Sequence, residues 1–139
     1  MTVFIDTSSL VKRYILEEGS ATFSEIIRKV TAIIVAPVTV IEIYSALDRR
    51  LRDKSLSPDD YRILEEEILR NFNDFSIVHW NNDLIISSLD TIRQHHLRTL
   101  DAIQLAAAII SGVSQMITSD KQLYQAAKKE IKKAILLEK

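Results

Sequence analysis

Short apolar segments alternate with longer stretches of helical periodicity along almost the whole chain. We predict strands near 2–6, 33–37, 76–80, 115–119 and 133–138. Helices are predicted near 8–17, 20–31, 39–54, 58–73, 83–96, 100–112 and 121–129. Alternation of this kind is typical of a parallel sheet covered by helices.

Four acidic residues stand where an apolar segment meets a helical pattern. Asp6 follows the first apolar segment, Glu42 the second and Asp120 the fourth, and Asp101 stands at the head of an apolar helical stretch. The carboxyl ends of parallel strands meet at one edge of a sheet, where open α/β folds place their active sites. Carboxylates gathered there repel one another unless a cation lies between them. The pattern therefore indicates a divalent metal site.

Helix capping is the structural alternative for each of these acids. Residues 39–42 fit a capping box that ends at Glu42, and Asp6 or Ser8 can cap the first helix. Asp120 directly precedes a helical stretch, and Asp101 lies two residues after a threonine. For any one acid, capping is an ordinary explanation; the four together favour a metal.

Asp101 has the strongest individual argument. The segment 100–110 is apolar almost all round, which predicts a helix buried on most faces. A carboxylate at the head of such a helix is costly to bury unless it is paired, protonated or bound to metal. The helix dipole favours its ionised form, which is the form that Mg²⁺ and Mn²⁺ require.

Four motifs resemble, in order, the successive motifs of PIN-domain ribonucleases: Asp6-Thr7-Ser8-Ser9, Thr39-Val40-Ile41-Glu42, Arg98-Thr99-Leu100-Asp101-Ala102 and Thr118-Ser119-Asp120. The sequence is most similar to VapC toxins of prokaryotic type II toxin–antitoxin pairs. The resemblance covers nearly the whole chain and implies a single PIN domain over 1–139. It also implies a three-layer α/β/α fold with a central, mainly parallel five-stranded sheet.

The same resemblance implies a site and a reaction. Four acids match the quartet that holds Mg²⁺ or Mn²⁺ in active members: Asp6, Glu42, Asp101 and Asp120. Four hydroxyl positions beside them match sites of supporting hydrogen bonds or phosphate contacts: Thr7, Ser9, Thr118 and Ser119. We expect metal-assisted hydrolysis of RNA, in which the metal lowers the pKa of a bound water. Asp6 and Asp101 are the expected direct ligands.

Charge restricts where RNA could bind. The 139 residues carry a formal net charge of −1, whereas nucleic-acid-binding domains usually show a basic patch or stripe. Lys12, Arg13 and Arg98 lie near the acids in sequence and are candidate phosphate contacts. The basic residues in 49–54 are interpreted instead as the solvated end of a helix.

Composition excludes several other classes of protein. The absence of cysteine excludes disulfides, thiolate zinc sites and a cysteine nucleophile, and only two glycines cannot build a dinucleotide fingerprint or a P-loop. No apolar stretch reaches the length of a transmembrane helix, and the first residues enter a strand directly. We therefore expect a cytoplasmic protein.

Partners follow from the resemblance as well: an RNA substrate, a cognate antitoxin protein and a second copy in a homodimer. The predicted helices at 41–51 and 61–72 are rich in apolar residues, and they either pack into the core or meet such a partner. A non-catalytic PIN-like module that binds RNA or protein without cleavage is the alternative function.

Overall fold

A computed structural model of the protein describes residues 1–137. Five strands form a single sheet: β1 (Thr2–Ile5), β2 (Ala32–Val35), β3 (Ser76–Ile77), β4 (Gln115–Thr118) and β5 (Lys133–Leu136). The same residues contain seven α-helices: α1 (Thr7–Leu10), α2 (Ser20–Ile27), α3 (Thr39–Arg52), α4 (Pro58–Asp74), α5 (Asn82–His95), α6 (Thr99–Ser111) and α7 (Lys121–Glu130). None of these helices combines the length and apolar character needed to span a bilayer.

The strands lie in the order β3-β2-β1-β4-β5, with β1 at the centre. Every pairing is parallel, including those of β1 with β2 and with β4. The chain therefore builds the sheet outward from β1 to one side and then crosses to the other side with β4. All five carboxyl ends meet along one edge, which confirms the predicted parallel sheet.

Helices cover both faces of the sheet, as the alternation of side chains along the strands dictates. On one face Phe4 and Met116 pack with buried residues of α5, α6 and α7. On the opposite face Val3, Ile5 and Ile117 pack with buried residues of α1, α2, α3 and α4. The result is the expected three-layer α/β/α fold.

Two predicted helices are shorter in the structure. The first was expected over 8–17, but α1 ends at Leu10 and continues only as a 3₁₀ turn over Val11–Arg13. The chain turns there to bury the adjacent Tyr14 and Ile15 in the core. The second was expected over 20–31, but α2 ends at Ile27, because the Thr31 amide donates to the Met1 carbonyl beside β1.

The predicted strands also differ from the observed ones at their ends. The third was expected over 76–80, but β3 contains only Ser76 and Ile77, because β2 ends at Val35 and the Val78 amide makes the last bond of this pairing to the Val35 carbonyl. The fifth was expected over 133–138; β5 ends at Leu136, and residue 138 lies outside the described residues.

Candidate acidic active site

The Asp6 carboxylate lies at the carboxyl end of β1 and is almost completely buried. Its oxygens accept hydrogen bonds from the Ser8 hydroxyl at 2.8 Å, the Thr118 hydroxyl at 2.9 Å and the Ser9 amide at 3.2 Å. The bond from the Ser9 amide caps α1, so the capping interpretation accounts for one of the three bonds to Asp6. The Thr118 hydroxyl ties the carboxylate to the neighbouring strand β4, and the Ser8 hydroxyl holds it from α1.

These three donors do not fully compensate Asp6 for its loss of water. Burial raises the pKa of Asp6 to about 7, although the hydrogen bonds from Ser8, Thr118 and Ser9 oppose the change. The charge of Asp101 makes a smaller contribution to the same increase. Asp6 is therefore an acid whose ionised form needs additional positive charge nearby.

Glu42 lies in the first turn of α3 and faces the same end of the sheet. Its Oε1 atom accepts hydrogen bonds from the Thr7 hydroxyl at 2.9 Å and from the Gln104 amide at 3.0 Å. The capping-box alternative does not describe Glu42, because α3 begins after Val38 and the Thr39 hydroxyl accepts a hydrogen bond from the Gln104 side-chain amide instead. Glu42 is thus held by side chains from two other helices.

Asp101 lies in the first turn of α6, and within residues 1–137 its carboxylate accepts no hydrogen bond. Its nearest cation is Arg98, with Nε 4.0 Å from Oδ2. Burial raises the pKa of Asp101, as do the charges of Asp120 and Glu42, while Arg98 lowers it. Asp101 therefore lies in the first turn of α6, but its carboxylate does not cap the helix, because it accepts no hydrogen bond from a backbone amide of the described residues.

Asp120 begins α7, and its Oδ1 atom accepts the Leu123 amide at 2.8 Å. For this residue the capping alternative describes the structure. The Asp120 amide donates in turn to the Thr118 hydroxyl at 3.1 Å, and that hydroxyl donates to Asp6. Thr118 therefore links Asp6 to Asp120 through a single oxygen.

Three of the four acids share one cleft of about 250 Å³: Asp6, Glu42 and Asp101. Asp120 does not line this cleft, although its charge acts on Asp101. Glu42 and Asp101 also line a wider opening of about 650 Å³, together with Arg98 and Leu100. The cleft continues outward on the side of α6.

The chemistry of the cleft fits a hard divalent cation. Its donors are carboxylate and hydroxyl oxygens, and burial and nearby acidic charges raise the pKa values of Asp6 and Asp101. Within residues 1–137, no three acidic or histidine side chains lie close enough together to hold a metal ion by themselves. Mg²⁺ does not need three such ligands, because it keeps several waters and binds through one or two carboxylates.

The hydroxyl positions expected near the acids are engaged there. Thr7 donates to Glu42, Thr118 donates to Asp6, and the Ser9 and Ser119 hydroxyls lie 2.9 Å apart. Sequence reasoning did not give Ser8 a place in the site. Its hydroxyl contacts both Asp6 oxygens and accepts the Ser119 amide, so it joins β1 to β4 at the cleft.

The basic residues are distributed differently from the expectation. Lys12 binds Glu17 at 3.0 Å and the Glu18 carbonyl at 2.9 Å, away from the acids. Arg98 is 82% exposed beside Asp101. Arg49, interpreted from sequence as part of a solvated helix end, lines the acidic cleft. Its position two turns after Glu42 on one helix was the available signal.

Comparison with known proteins identifies the family. The PIN domain profile matches residues 3–129. Sequence comparison with curated proteins finds no match. Among solved structures, PAE2754 from Pyrobaculum aerophilum is 17% identical, with a TM-score of 0.70 over 96% of this chain and 89% of that one.

Two further structures share the fold. VapC20 from Mycobacterium tuberculosis, described as a sarcin-ricin loop cleaving toxin, is 15% identical, with a TM-score of 0.71 over 94% of this chain and 97% of that one. A toxin–antitoxin complex from Klebsiella pneumoniae is 15% identical, with a TM-score of 0.68 over 88% of this chain and 89% of that one. The profile match spans most of the sequence, and the structural matches agree with the fold. The chain therefore belongs to the PIN-domain family.

Proposed function

We propose that this protein is a Mg²⁺- or Mn²⁺-dependent endoribonuclease and the toxin of a toxin–antitoxin pair. The observation that carries the proposal is the convergence of Asp6, Glu42 and Asp101 on one cleft at the carboxyl edge of a parallel sheet. Membership of the PIN-domain family and the fold shared with a VapC toxin support the same function.

In this proposal Asp6 and Asp101 hold the ion, and Glu42 and Asp120 act through water or orient the nucleophile. When bound, the ion lowers the pKa of a water and neutralises charge on the phosphoryl oxygens. Ser8, Thr118 and the start of α1 keep the Asp6 carboxylate fixed without occupying all of its acceptor sites. A fixed carboxylate loses little entropy when a ligand arrives.

Two arginines are suited to contact the RNA backbone. Arg49 lines the cleft on the α3 side, and Arg98 lines the wider opening at the start of α6. A phosphodiester at the acids would therefore have a cation on either side. Two local contacts of this kind reconcile RNA binding with a net charge of −1.

The proposed partners are a cognate antitoxin and a second copy of the chain, acting in the cytoplasm. Ile41, Ile63 and Leu69 are more than half exposed on α3 and α4, and Ile41 adjoins Glu42 in sequence. An antitoxin segment bound there would cover the cleft. The toxin–antitoxin complex from Klebsiella pneumoniae, which shares this fold, supports this proposal.

The test is cleavage of RNA by the purified protein with Mg²⁺, with Mn²⁺ or with chelator, followed by mapping of the new ends. We expect cleavage only with metal and its loss in Asp101→Asn. Asp83→Asn is the matched control, because Asp83 also lies in the first turn of a helix but is exposed and outside the cleft. Cleavage that persists in chelator would overturn the metal mechanism.

Thermal unfolding of the same variants separates a ligand from a structural acid. Asp101→Asn is expected to leave the metal-free protein as stable as the parent or more so, because it relieves repulsion from Glu42 and Asp120. It should also reduce the stabilisation by Mn²⁺, about 2.7 kcal/mol for the parent at roughly 100 times the dissociation constant. A variant that loses stability yet keeps the full Mn²⁺ effect would make Asp101 structural. RNA binding without cleavage would favour the non-catalytic alternative.

A further inference from the structure

Gln104 is a polar side chain in the most apolar helix of the protein. It is 2% exposed, and its neighbours in α6 from Ala102 to Ala108 are buried apolar residues. It lies one turn after Asp101 on the same side of the helix. A buried amide costs stability unless its hydrogen bonds are made, so a core position of this kind favours leucine or methionine.

The Gln104 amide connects three helices at the cleft. Its nitrogen lies 2.9 Å from the Thr7 hydroxyl of α1, 3.0 Å from the Thr39 hydroxyl of α3 and 3.0 Å from Glu42 Oε1. The Thr7 hydroxyl donates to the same Glu42 oxygen. Two donors from different helices therefore converge on Oε1.

The orientation of this amide is set by Glu42. A carboxylate has acceptors only, so the amide nitrogen must face it; with the amide reversed, two acceptors would meet without a proton. The consequence is an amide oxygen that is buried and has no hydrogen-bond partner within residues 1–137. The bond to Glu42 is made at the expense of an unpaired acceptor in the core.

The other Glu42 oxygen is left free by the same arrangement. Among the described residues, hydrogen bonds to this carboxylate end on Oε1. Glu42 lines both the acidic cleft and the wider opening. An acid anchored through one oxygen can offer the second to a cation or to a water bound to it.

We propose that Gln104 is a positioning residue, which anchors Oε1 of Glu42 so that Oε2 is available to the divalent ion or its water. This inference rests on the proposed metal site. It assigns a role in that site to a residue without charge, and it explains why an amide with an unpaired oxygen occupies a core position.

The experiment measures Mn²⁺ binding by titration calorimetry in the parent, Gln104→Met and Gln115→Met. Gln115 is the matched control, because its amide oxygen is also buried without a partner, but it lies at the amino end of β4, opposite the acids. We expect Gln104→Met to weaken Mn²⁺ binding about tenfold, as loss of a bond that orients a ligand typically does. Gln115→Met should stay within about twofold of the parent, which is the scale of an indirect effect.

A double-mutant cycle tests whether Gln104 acts through Glu42. In a Glu42→Gln background, Gln104→Met should produce little further loss of Mn²⁺ affinity, because the carboxylate that it positions is gone. Gln104→Leu replaces the methionine variant if the latter unfolds. Full additivity of the two substitutions would contradict the inference.

Three other results would also overturn it: unchanged Mn²⁺ binding in Gln104→Met, an equal loss in Gln115→Met, or no Mn²⁺ binding by the parent. The RNA assay remains a separate readout. A parent that binds Mn²⁺ but cuts no RNA would refute the proposed ribonuclease and leave the role of Gln104 intact. A parent that cuts RNA while Gln104→Met binds Mn²⁺ normally would refute only the positioning role.

Discussion

Two features of the Asp6 environment act in opposite directions on its ionisation. Three hydrogen-bond donors favour the ionised carboxylate, whereas almost complete burial favours the protonated acid. Burial prevails and raises the pKa of Asp6 to about 7. In the metal-free protein the group therefore holds a proton at pH values where the unfolded chain has released it. Its ionisation is linked to folding as well as to the proposed ion.

We predict that the free energy of unfolding of the metal-free protein falls as pH rises from 3.8 to about 7, the interval over which the folded state alone keeps the Asp6 proton. The contribution is on the order of 4 kcal/mol at most, from ~1.36 kcal/mol for each pH unit. Asp6→Asn should remove it. Urea unfolding in chelator at several pH values provides the measurement, and equal pH slopes for parent and variant would refute the linkage.

Arg49 is the residue-level test of how RNA reaches the acids. We predict that Arg49→Ala raises KM for RNA more than it lowers kcat, because the arginine lines the cleft without being one of its acids. The dependence of log affinity on log salt should become shallower by about 0.7, the value for one phosphate contact on a single strand.

Arg62→Ala is the control for Arg49, since Arg62 is exposed and pairs with Asp59 at the start of α4. RNA binding is measured at several salt concentrations in the Asp101→Asn background, in which we expect cleavage to be lost. If the salt dependence is the same with and without Arg49, this arginine does not contact a phosphate, and its interpretation as part of a solvated helix end stands.

The helix α6 ends at Gly112, which adopts a left-handed conformation with φ of 72° and bonds to the Ile109 carbonyl. A side chain built there meets no atom within 4 Å, so a substitution changes only the backbone energy. We predict that Gly112→Ala lowers the free energy of unfolding by about 1 kcal/mol, since alanine resists this conformation. Urea unfolding measures the change; an unaltered midpoint would contradict it.

Most elements were predictable because their signals are local. Ser57, Pro58 and two acids predict the start of α4, and the Ser57 side chain caps it in the structure. The lengths of α1 and β3 could not be predicted. The end of α1 depends on the burial of Tyr14 and Ile15, and the end of β3 depends on where the neighbouring strand β2 ends. Ends set by tertiary contacts leave no periodic pattern in the sequence.

The same distinction applies to the site. Asp6, Glu42 and Asp101 were candidates because they lie beside predicted strand ends and helix starts in the sequence. In the structure they line one cleft. Their roles as metal ligands stay a prediction. Gln104 could not be identified in this way, because its partners are 65 and 97 residues away along the chain, at Thr39 and Thr7.

At the scale of the whole molecule, apolar side chains remain exposed on the outer face of α5. Ile85 and Ile86 are adjacent, Leu89 lies one turn later, and each of the three is more than a third exposed. A patch of this kind on a globular protein indicates an interface. The homodimer proposed for this protein would bury it.

We therefore predict that Ile86→Glu shifts the protein from dimer to monomer in sedimentation velocity while its far-UV circular dichroism is unchanged. A charge in an apolar interface is costly to bury, and the monomer leaves it in water. Asp74→Glu, at the exposed end of α4, is the control. A parent protein that sediments as a monomer would refute this assembly.

The central position of β1 has a consequence for the order of events during synthesis. The hydrogen bonds at the end of β1 are completed only when β4 has been made. The Thr118 hydroxyl donates to Asp6, which lies 112 residues earlier, and the Ser119 amide donates to Ser8, which lies 111 residues earlier. A nascent chain that contains only the first hundred residues therefore lacks β4, whose Thr118 hydroxyl holds the Asp6 carboxylate in place. If the protein is the ribonuclease proposed above, its activity cannot begin before β4 has been made.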